Sequence, residues 1–403
     1  LQPCGRHACL TAGRAGLVSV RTIRSLEVFP VRVPMTGALH FSSGSAGGGK
    51  SGEGSPHVFV RITDSEGETG WGEGRPNPQW SYETLETVTT TIRRYLASAV
   101  LGSPAMDRWG LHRRMHAAVG RGPSTGQPVA KAAVDMAVHD LCARACGMSL
   151  RAFLGGGPEP RSVALSYTVN GHDAAEVREE VAAAREQGFR HFNFKAAVAP
   201  DTDAEVASAV REAAGPSAFV WADANQGYSP PDAIRAARRF LDAGVDVLEQ
   251  PTPADQAHLM RGLRDRCTLP LAVDEACVSP ADFFRYASQG LVDYLVIKLT
   301  RSGGVWPTLA QIGVAEAAGL LLLVSGLTDT LLAKVAACQV AAAFGFEGPA
   351  ALNGSQFLDE SALYPEKSQV ESNGAVHLGE APGIGVRPDE QALKRFAVEE
   401  LAL

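Results

Sequence analysis

The chain has 403 residues, of which 45% are hydrophobic and 20% charged, with a formal net charge of −7. This length accommodates two domains, and the negative charge argues against nucleic acid or an anionic membrane as a partner. No stretch approaches the roughly 18 apolar residues of a membrane span, and seven scattered cysteines without a C-x-x-C pair fit a reducing cytoplasm better than a disulfide framework.

The N-terminal stretch differs in composition from the rest of the chain. Residues 1–24 contain Arg6, Arg14, Arg21 and Arg24 but no acidic residue. An Arg-rich, acid-poor segment is typical of an organelle transit peptide. We instead expect residues 1–24 to be an over-extended start that has no folded role.

The next part of the chain contains strand patterns followed by helical ones. Residues 25–33 and 57–63 have the composition of strands, and WGEG after the turn SEGETG indicates a third strand. Apolar residues at helical spacing then recur in three segments, residues 81–100, 105–118 and 127–146. Residues 25–155 therefore predict an α+β domain, with a three-stranded meander followed by helices.

A long segment rich in glycine and serine, residues 36–54, separates the first two strands. It is either a flexible hairpin tip or a mobile lid. We favour a lid because long glycine-rich loops of compact domains often close over a site. His40, Trp80 and Tyr82 lie in or near loops of this domain, where ordinary surface or core roles are favoured over binding roles.

From residue 161 the pattern becomes a strand–helix alternation. Glycines such as Gly188, Gly244 and Gly319 mark the helix ends. Eight strand–helix units predict an α/β fold, a (β/α)8 barrel over residues 156–370, capped by the α+β domain. The last segment, residues 371–403, is predicted to return to the capping domain. The strand candidates are residues 163–168, 190–195, 218–223, 245–249, 271–275, 293–298, 320–325 and 350–353.

Charged residues end five successive strand candidates of the barrel. They are Lys195, Asp223, Glu249, Asp274 and Lys298, at intervals of 24 to 28 residues. One strand, one helix and two loops take about that length, so each residue tops a neighbouring strand. Singly, a strand-end Asp often caps a helix and a Lys is often solvated. Helix capping does not explain charged residues at the ends of five consecutive strands.

The carboxylates among these residues suit a hard cation. Oxygen ligands from adjacent strand tips are typical of Mg²⁺ sites, and such an ion leaves positions for a substrate carboxylate. The ion would stabilise the enediolate that forms when the α-proton leaves. Lys195 and Lys298 come from opposite sides of the barrel, so they can address opposite faces of one α-carbon.

Four stretches carry a resemblance to a known family: WADANQGY, LEQP, VDEA and KLTRSGG. With them, the chain resembles the muconate-lactonising subgroup of the enolase superfamily from about residue 25 to 385. The resemblance implies a Mg²⁺ site at Asp223, Glu249 and Asp274, with Lys195 and Lys298 as acid/base residues. It also implies that further side chains orient the ligands and Lys298 or lie beside the substrate: Asn225, Gln250, Glu275 and Asp329.

Two departures from the family pattern concern the substrate. Asn193 stands where relatives carry the first lysine of K-x-K, whose charge helps to lower the pKa of the second, here Lys195. Asn353-Gly354-Ser355 stands where dipeptide epimerases carry D-x-D to hold an ammonium group. We expect Asn193 and Asn353 to face the substrate, which argues against a free α-amino dipeptide but not against N-blocked amino acids or hydroxy acids.

These observations predict a Mg²⁺-dependent isomerase that acts on a small-molecule carboxylate and forms a homo-oligomer. The first hypothesis is racemisation or epimerisation of an amino-acid derivative, which needs both lysines. The alternative is a cycloisomerase or a dehydratase that uses the same enediolate with one lysine as the acid/base. A third hypothesis is a barrel that binds a partner without catalysis. Loss of one of the three carboxylates would favour it, but Asp223, Glu249 and Asp274 are all present.

Overall fold

The structure, a computed structural model, describes residues 20–37, 39–41, 44–46, 54–121 and 125–401. The described residues begin before the predicted residue 25. Strand β1 begins at Ile23, and Arg21 forms an ion pair with Asp64 at 2.7 Å. Residues 1–19 of the predicted leader lie outside the described residues. So does most of the predicted lid, of which the structure describes the ends and two short strands.

The capping domain is a meander covered by helices. Strands β1, β4 and β5 pair antiparallel in that order, as the sequence predicts. The strands of this domain are β1 (Ile23–Val33), β2 (Leu39–Phe41), β3 (Gly44–Ala46), β4 (Ser55–Asp64) and β5 (Thr69–Gly74). The helices are α1 (Leu85–Thr91), a π-helical turn (Ile92–Leu96), α2 (Ala97–Val100), α3 (Arg108–Ala118), α4 (Pro128–Ala145) and α5 (Leu150–Phe153).

Helix α4 is the central element of the molecule. Every residue from Pro128 to Ala143 is buried. On one side it lies directly on β5, where glycines replace side chains: a Cβ at Gly72 would stand 2.1 Å from the carbonyl oxygen of Ala133. On the other side Asp135 accepts hydrogen bonds from the backbone amides of Val305 and Trp306 in the barrel. The helix therefore joins the two domains.

The barrel is a curled parallel sheet of seven strands in the order β13-β12-β11-β10-β9-β8-β7. Its strands are β7 (Ser166–Val169), β8 (His191–Lys195), β9 (Val220–Asp223), β10 (Val247–Glu249), β11 (Leu271–Val273), β12 (Tyr294–Ile297) and β13 (Leu321–Val324). A short strand, β6 (Ser162–Ala164), precedes β7 and pairs instead with β15 (Ala375–His377), outside the barrel.

The predicted eighth strand, residues 350–353, is much shorter than expected. It is reduced to two bridges, Ala350 with Leu165 and Ala351 with Ser325. These bridges join the first and last strands and close the barrel, since Ala350 N donates to Ala164 O and Ala351 N donates to Val324 O, at 2.9 and 2.8 Å. The sheet twist allows only a brief contact on both sides at this point.

Helices follow the strands and cover the barrel, with Gly188, Gly244 and Gly319 at positive φ just after three of them. Side chains cap the N-termini of several of these helices, for example Asp173 before α6 and Ser229 before α8. The helices are α6 (Ala174–Glu186), α7 (Pro200–Ala214), α8 (Pro230–Asp242), α9 (Ala257–Arg264), α10 (Pro280–Ser288), α11 (Leu299–Ser302), α12 (Val305–Ala318), α13 (Leu331–Ala343) and α14 (Gly354–Phe357).

The C-terminal segment runs back along the capping domain. Residues 397 and 398 lie beside β1, where Val398 N donates to Pro30 O at 3.0 Å, and Arg32 N donates to Phe396 O at the same distance. The segment contains α15 (Lys367–Val370), β14 (Glu371–Ser372), β15 (Ala375–His377), α16 (Glu390–Arg395) and a 3₁₀ turn (Glu399–Leu401). Within the described residues, no helix combines the length and apolarity needed to cross a bilayer.

The glycine contact between β5 and α4 yields a prediction about stability. Gly72→Ala should lower the free energy of unfolding by about 1–3 kcal/mol, because the new methyl group meets backbone atoms that cannot move away. Urea denaturation measures the change. Gly157→Ala is the control, since no atom lies within 4 Å of its Cβ position. Equal stability of the two variants would contradict the close approach of strand and helix.

Candidate active site

The period-two alternation of the strands builds two layers inside the barrel. A hydrophobic cluster fills the lower layer, with Trp221, Val247, Ala272, Val296, Leu323 and Ala351. Two residues later on each strand, polar side chains form the upper layer: Asp223, Glu249, Asp274, Lys298, Ser325 and Asn353. The polar layer lies at the carboxyl ends of the strands, where it faces the capping domain.

Strand register brings the predicted residues side by side. In the β8–β9 pair Lys195 is opposite Asp223, and in the β9–β10 pair Asp223 is opposite Glu249. Asp274 and Lys298 each directly follow a strand, β11 and β12. All five are therefore at the same edge of the sheet, with the carboxylate strands β9, β10 and β11 between the two lysine strands.

Each lysine forms an ion pair with one carboxylate. Lys195 Nζ lies 2.5 Å from Asp223 Oδ2, and Lys298 Nζ lies 2.7 Å from Asp274 Oδ2. Burial alone would lower the pKa of Lys195, but the charges of Asp223 and Glu249 outweigh it and raise that pKa above its ordinary value. In this arrangement Lys195 holds its proton.

Glu249 lies between the two ion pairs and has no cation of its own. Its Oε1 is buried without a hydrogen-bond partner among the described residues. Burial, together with the charges of Asp223 and Asp274, raises the pKa of Glu249 well above its ordinary value. The neighbours of Glu249 therefore disfavour its ionised form, which a bound cation at this point would favour.

Backbone and amide groups orient two of the carboxylates. Asn225 donates to Asp223 with both its backbone N and its Nδ2, at 3.0 Å each. The Gln250 Oε1 accepts hydrogen bonds from Asp274 N at 3.1 Å and Ala276 N at 3.3 Å. Asn225 and Gln250 have φ values of +43° and +38°, so the chain adopts strained conformations next to the site.

Glu275 forms a hydrogen bond with the turn that follows β9. Its Oε1 accepts from Gln226 Nε2 at 2.9 Å, and the described residues include no ion pair between Glu275 and Lys298. Burial and the charges of Asp274 and Asp223 raise the pKa of Glu275 to about 8. Glu275 therefore supports the turn after β9 through Gln226 rather than holding Lys298 directly.

Asp329 lies behind the wall of the site. Its Oδ2 accepts from Leu327 N at 3.0 Å, and its Oδ1 accepts from Thr300 Oγ1 at 3.1 Å. Burial and the charge of Glu73 raise the pKa of Asp329 to about 6. Asp329 thus joins the loop after β13 to the turn that follows Lys298.

A small cavity of about 50 Å³ opens above the polar layer. Asn193 lines it and is 8% exposed, and its Oδ1 is buried without a partner among the described residues. Thr168 is the neighbour of Asn193 in the β7–β8 pair, and its Oγ1 accepts from Asn353 Nδ2 at 3.2 Å. Trp80 of the capping domain also lines the cavity, with its ring centroid 5.7 Å from Lys298 Nζ.

Sequence reasoning did not single out Arg301, which is 2% exposed. Its guanidinium donates to Asp274 Oδ1 and to the carbonyl oxygens of Cys277 and Val296. Arg301 follows Lys298 by one helical turn in KLTRSGG, so both cations face the same carboxylate. That i,i+3 spacing after a strand-end lysine was the available signal.

The donor chemistry of the mouth fits a divalent cation. Three carboxylates converge on one edge, and Glu249 Oε1 is a buried acceptor without a donor. The lysines engage Asp223 and Asp274, and no three acidic, histidine or cysteine side chains of the described residues already enclose a metal-sized point. Carboxylate oxygens of this kind are the ligands that Mg²⁺ prefers, and here the charge of Asp223 and Asp274 is shared with the lysines.

Comparison with known proteins adds independent information. Residues 27–155 match the mandelate racemase / muconate lactonizing enzyme N-terminal domain, and residues 176–392 match the enolase C-terminal domain-like family. Muconate cycloisomerase 1 of Rhodococcus opacus is 30% identical over 353 residues, which are 85% of this chain and 91% of that protein. The L-Ala-D/L-Glu epimerase of Bacillus subtilis (strain 168) is 30% identical over 341 residues, 82% of this chain and 88% of that protein.

A solved structure has the same architecture. The N-succinyl Arg/Lys racemase of Bacillus cereus superposes with a TM-score of 0.84 at 25% identity, covering 94% of this chain and 98% of that protein. The similarity spans the capping domain and the barrel together.

The raised pKa of Asp329 predicts a pH dependence of stability. Asp329 binds its proton more tightly in the folded state, so its contribution falls as pH rises from its ordinary pKa of 3.8 towards about 6. Asp329→Asn removes this titration but keeps an acceptor. Urea unfolding from about pH 4 to 7 should show wild type losing stability relative to the variant as pH rises. Parallel profiles would contradict the raised pKa.

Proposed function

We propose that this chain, which belongs to the mandelate racemase / muconate lactonizing enzyme family, removes the α-proton of a small carboxylate substrate with Mg²⁺ bound. The relatives named above are a cycloisomerase, an epimerase and a racemase, and all three names denote isomerases. Enolase-superfamily members bind Mg²⁺. The first choice of reaction is racemisation or epimerisation of an amino-acid derivative.

The observation that carries this proposal is the placement of the lysines. Lys195 and Lys298 flank the three carboxylates from strands β8 and β12, and both line the same cavity. An α-carbon held over the carboxylates would have one ammonium group on each side. One lysine would take the proton and the other would return it to the opposite face, which inverts the centre.

The carboxylates would govern when the lysines can act. When bound, Mg²⁺ supplies the positive charge that makes the α-proton of a carboxylate substrate acidic. Asp223 and Asp274, engaged in holding it, would stabilise the ammonium forms of Lys195 and Lys298 less strongly. The pKa of each lysine would then fall towards the range in which a free amine is available as a base.

The cavity wall supports a substrate with a blocked amino group. Apart from Asp223 and Glu249, the described side chains that line it are not acidic, so an α-ammonium group would find no additional anionic partner there. Asn193, Thr168 and Asn353 instead provide amide and hydroxyl groups. Such groups suit the neutral C=O and N–H of an N-acyl amino acid.

The alternative is a cycloisomerase or dehydratase that uses one lysine. Asn193 favours it to some extent, because no second cation beside Lys195 helps to lower the pKa of that lysine. The two side chains are also unequally buried, at 22% exposure for Lys195 and 7% for Lys298. A cytoplasmic location and a homo-oligomer stay predictions from the sequence.

Exchange of the α-proton with solvent deuterium tests the reaction. We expect the Mg²⁺-loaded protein in D₂O to label N-acetyl or N-succinyl amino acids at Cα and to racemise them. Lys195→Met and Lys298→Met should each lower the racemisation rate by about 10²–10⁴-fold, since general-base catalysis is lost. NMR and chiral chromatography measure both quantities.

Lys394→Met, at an exposed position on α16, is the matched control and should retain full activity. Labelling without inversion that survives in one lysine variant would favour the one-base alternative. Inversion that persists in both variants would contradict the proposed roles. Turnover of hydroxy acids with loss of water would favour the dehydratase.

Metal binding can be tested separately by calorimetric titration with Mg²⁺. Wild type should bind Mg²⁺ at a single site, and Glu249→Gln should weaken binding by more than the roughly 10–100-fold that loss of an outer hydrogen-bond partner costs. Glu83→Gln is the control, because Glu83 is a buried carboxylate bonded to Val129 N and Ala130 N outside the cavity. Equal affinity in all three proteins would contradict the assigned site.

A further inference from the structure

A carboxylate of the capping domain reaches into the barrel at the edge of the site. Glu73, on β5, is 0% exposed and accepts four hydrogen bonds. One comes from His57 Nδ1 in the capping domain, at 2.8 Å. The others come from the start of α13: Thr330 N at 2.9 Å, Thr330 Oγ1 at 2.7 Å and Ala333 N at 3.2 Å. Both carboxylate oxygens are fully used.

The start of α13 needs this negative charge. The first amides of a helix have no partner within the helix, and every residue from Leu331 to Ala342 is buried, so water cannot supply one. Glu73 accepts hydrogen bonds from two of these amides, and Glu360 accepts one from a third, Leu331 N, at 2.8 Å. Burial would raise the pKa of Glu73, but its bond to His57 and the Thr330 donors outweigh this and lower it. Glu73 is therefore ionised.

Thr330, which Glu73 holds by two hydrogen bonds, is adjacent in sequence to the loop that lines the cavity. Thr330 follows Asp329 and the segment Ser325–Thr328, which lines the cavity. Thr328 has a φ of +64°, and a Cβ at Gly354 would lie 1.9 Å from Asp329 O, so the loop fits closely against its neighbours. Through Thr300, Asp329 also holds the turn two residues after Lys298.

We propose that Glu73 is a positioning residue for the active-site loop Ser325–Asp329, which it fixes from the capping domain through Thr330. By the Asp329–Thr300 hydrogen bond, the same contact sets the turn that follows Lys298. The inference takes the cavity to be the active site, as proposed above. Its consequence is that the shape of the cavity depends on a buried carboxylate that belongs to the other domain.

Asp140, on helix α4, provides a matched control that contacts the same strand as Glu73. It is also 0% exposed, and it accepts from Trp71 N at 2.9 Å and from Ile384 N at 2.6 Å. Trp71 precedes Glu73 by two residues on β5. Asp140 has no described hydrogen bond to the loop, so Asp140→Asn removes a similar buried charge without touching the cavity wall.

Hydrogen–deuterium exchange of backbone amides tests the proposal without a substrate. In Glu73→Gln an amide N–H would face the donors of Thr330 and Ala333, so peptides covering residues 325–333 should exchange about 10-fold faster or more. Asp140→Asn should leave these peptides unchanged. Thr330→Val loses the Oγ1 bonds to Glu73 and Tyr364 but keeps the Thr330 N and Ala333 N bonds to Glu73. It should shift the same peptides by less, and it decides the question if Glu73→Gln does not fold.

A second readout uses the substrate found by α-proton exchange, at a temperature where every variant is fully folded. Glu73→Gln should lower kcat/KM about 10-fold or more, while Asp140→Asn leaves it unchanged. The positioning role would be overturned if peptides covering residues 325–333 exchanged equally fast in Glu73→Gln and Asp140→Asn. It would also be overturned if exchange in Glu73→Gln rose uniformly along the whole chain. If no substrate exchanges its α-proton, that result would count against the proposed function. It would not affect the interpretation of the amide exchange data.

Discussion

The mutual repulsion of three buried carboxylates is the constraint on which the rest of the site depends. Asp223 and Asp274 each face a lysine, whereas Glu249 between them has no counter-ion of its own in the part of the chain that the structure describes. Isolated carboxylates cannot stay charged in a buried place unless cations or donors surround them. The lysines, Arg301 and the amides of Asn225 meet this need, and a divalent cation would meet it further. The lysines and the cation that the proposed α-proton chemistry needs would also be the groups that stabilise the charge of the three carboxylates.

The capping domain is held to the barrel by polar contacts that end on buried carboxylates. The carboxylate of Asp135 on α4 forms a hydrogen bond with His112 and lies 3.2 Å from His139 Nδ1 within its own domain, and it accepts from the start of α12 in the barrel. Glu73 on β5 makes the corresponding contact with α13. In both cases a carboxylate from one domain compensates the free amides and positive end of a helix in the other. Such contacts are directional, so they fix the orientation of the domains and not only their proximity.

The two lysines are not equivalent, and this bears on the choice of reaction. Lys298 is nearly buried, shares Asp274 with Arg301 and lies beside the ring of Trp80. Lys195 is more exposed, and its nearest strand neighbour inside the barrel is the neutral Asn193. Two-base racemisation requires that both amines become available, whereas a one-base reaction requires only one. Asn193 is therefore the position at which the two proposed reactions make different demands.

The sequence by itself determined the barrel, the meander and the placement of Lys195, Asp223, Glu249, Asp274 and Lys298 at one edge of the sheet. It did so because the strand–helix repeat length and the period-two alternation are local properties, and parallel strands bring equivalent ends together. Only the tertiary structure decided which groups pair across that edge. The contact of Arg301 with Asp274, the bond of Glu275 to Gln226, the two-residue closure at Ala350 and Ala351, and the reach of Glu73 to α13 all depend on register and helix positions that join residues distant in the chain. No local pattern encodes those distances, because they follow from the packing of the whole barrel against its cap.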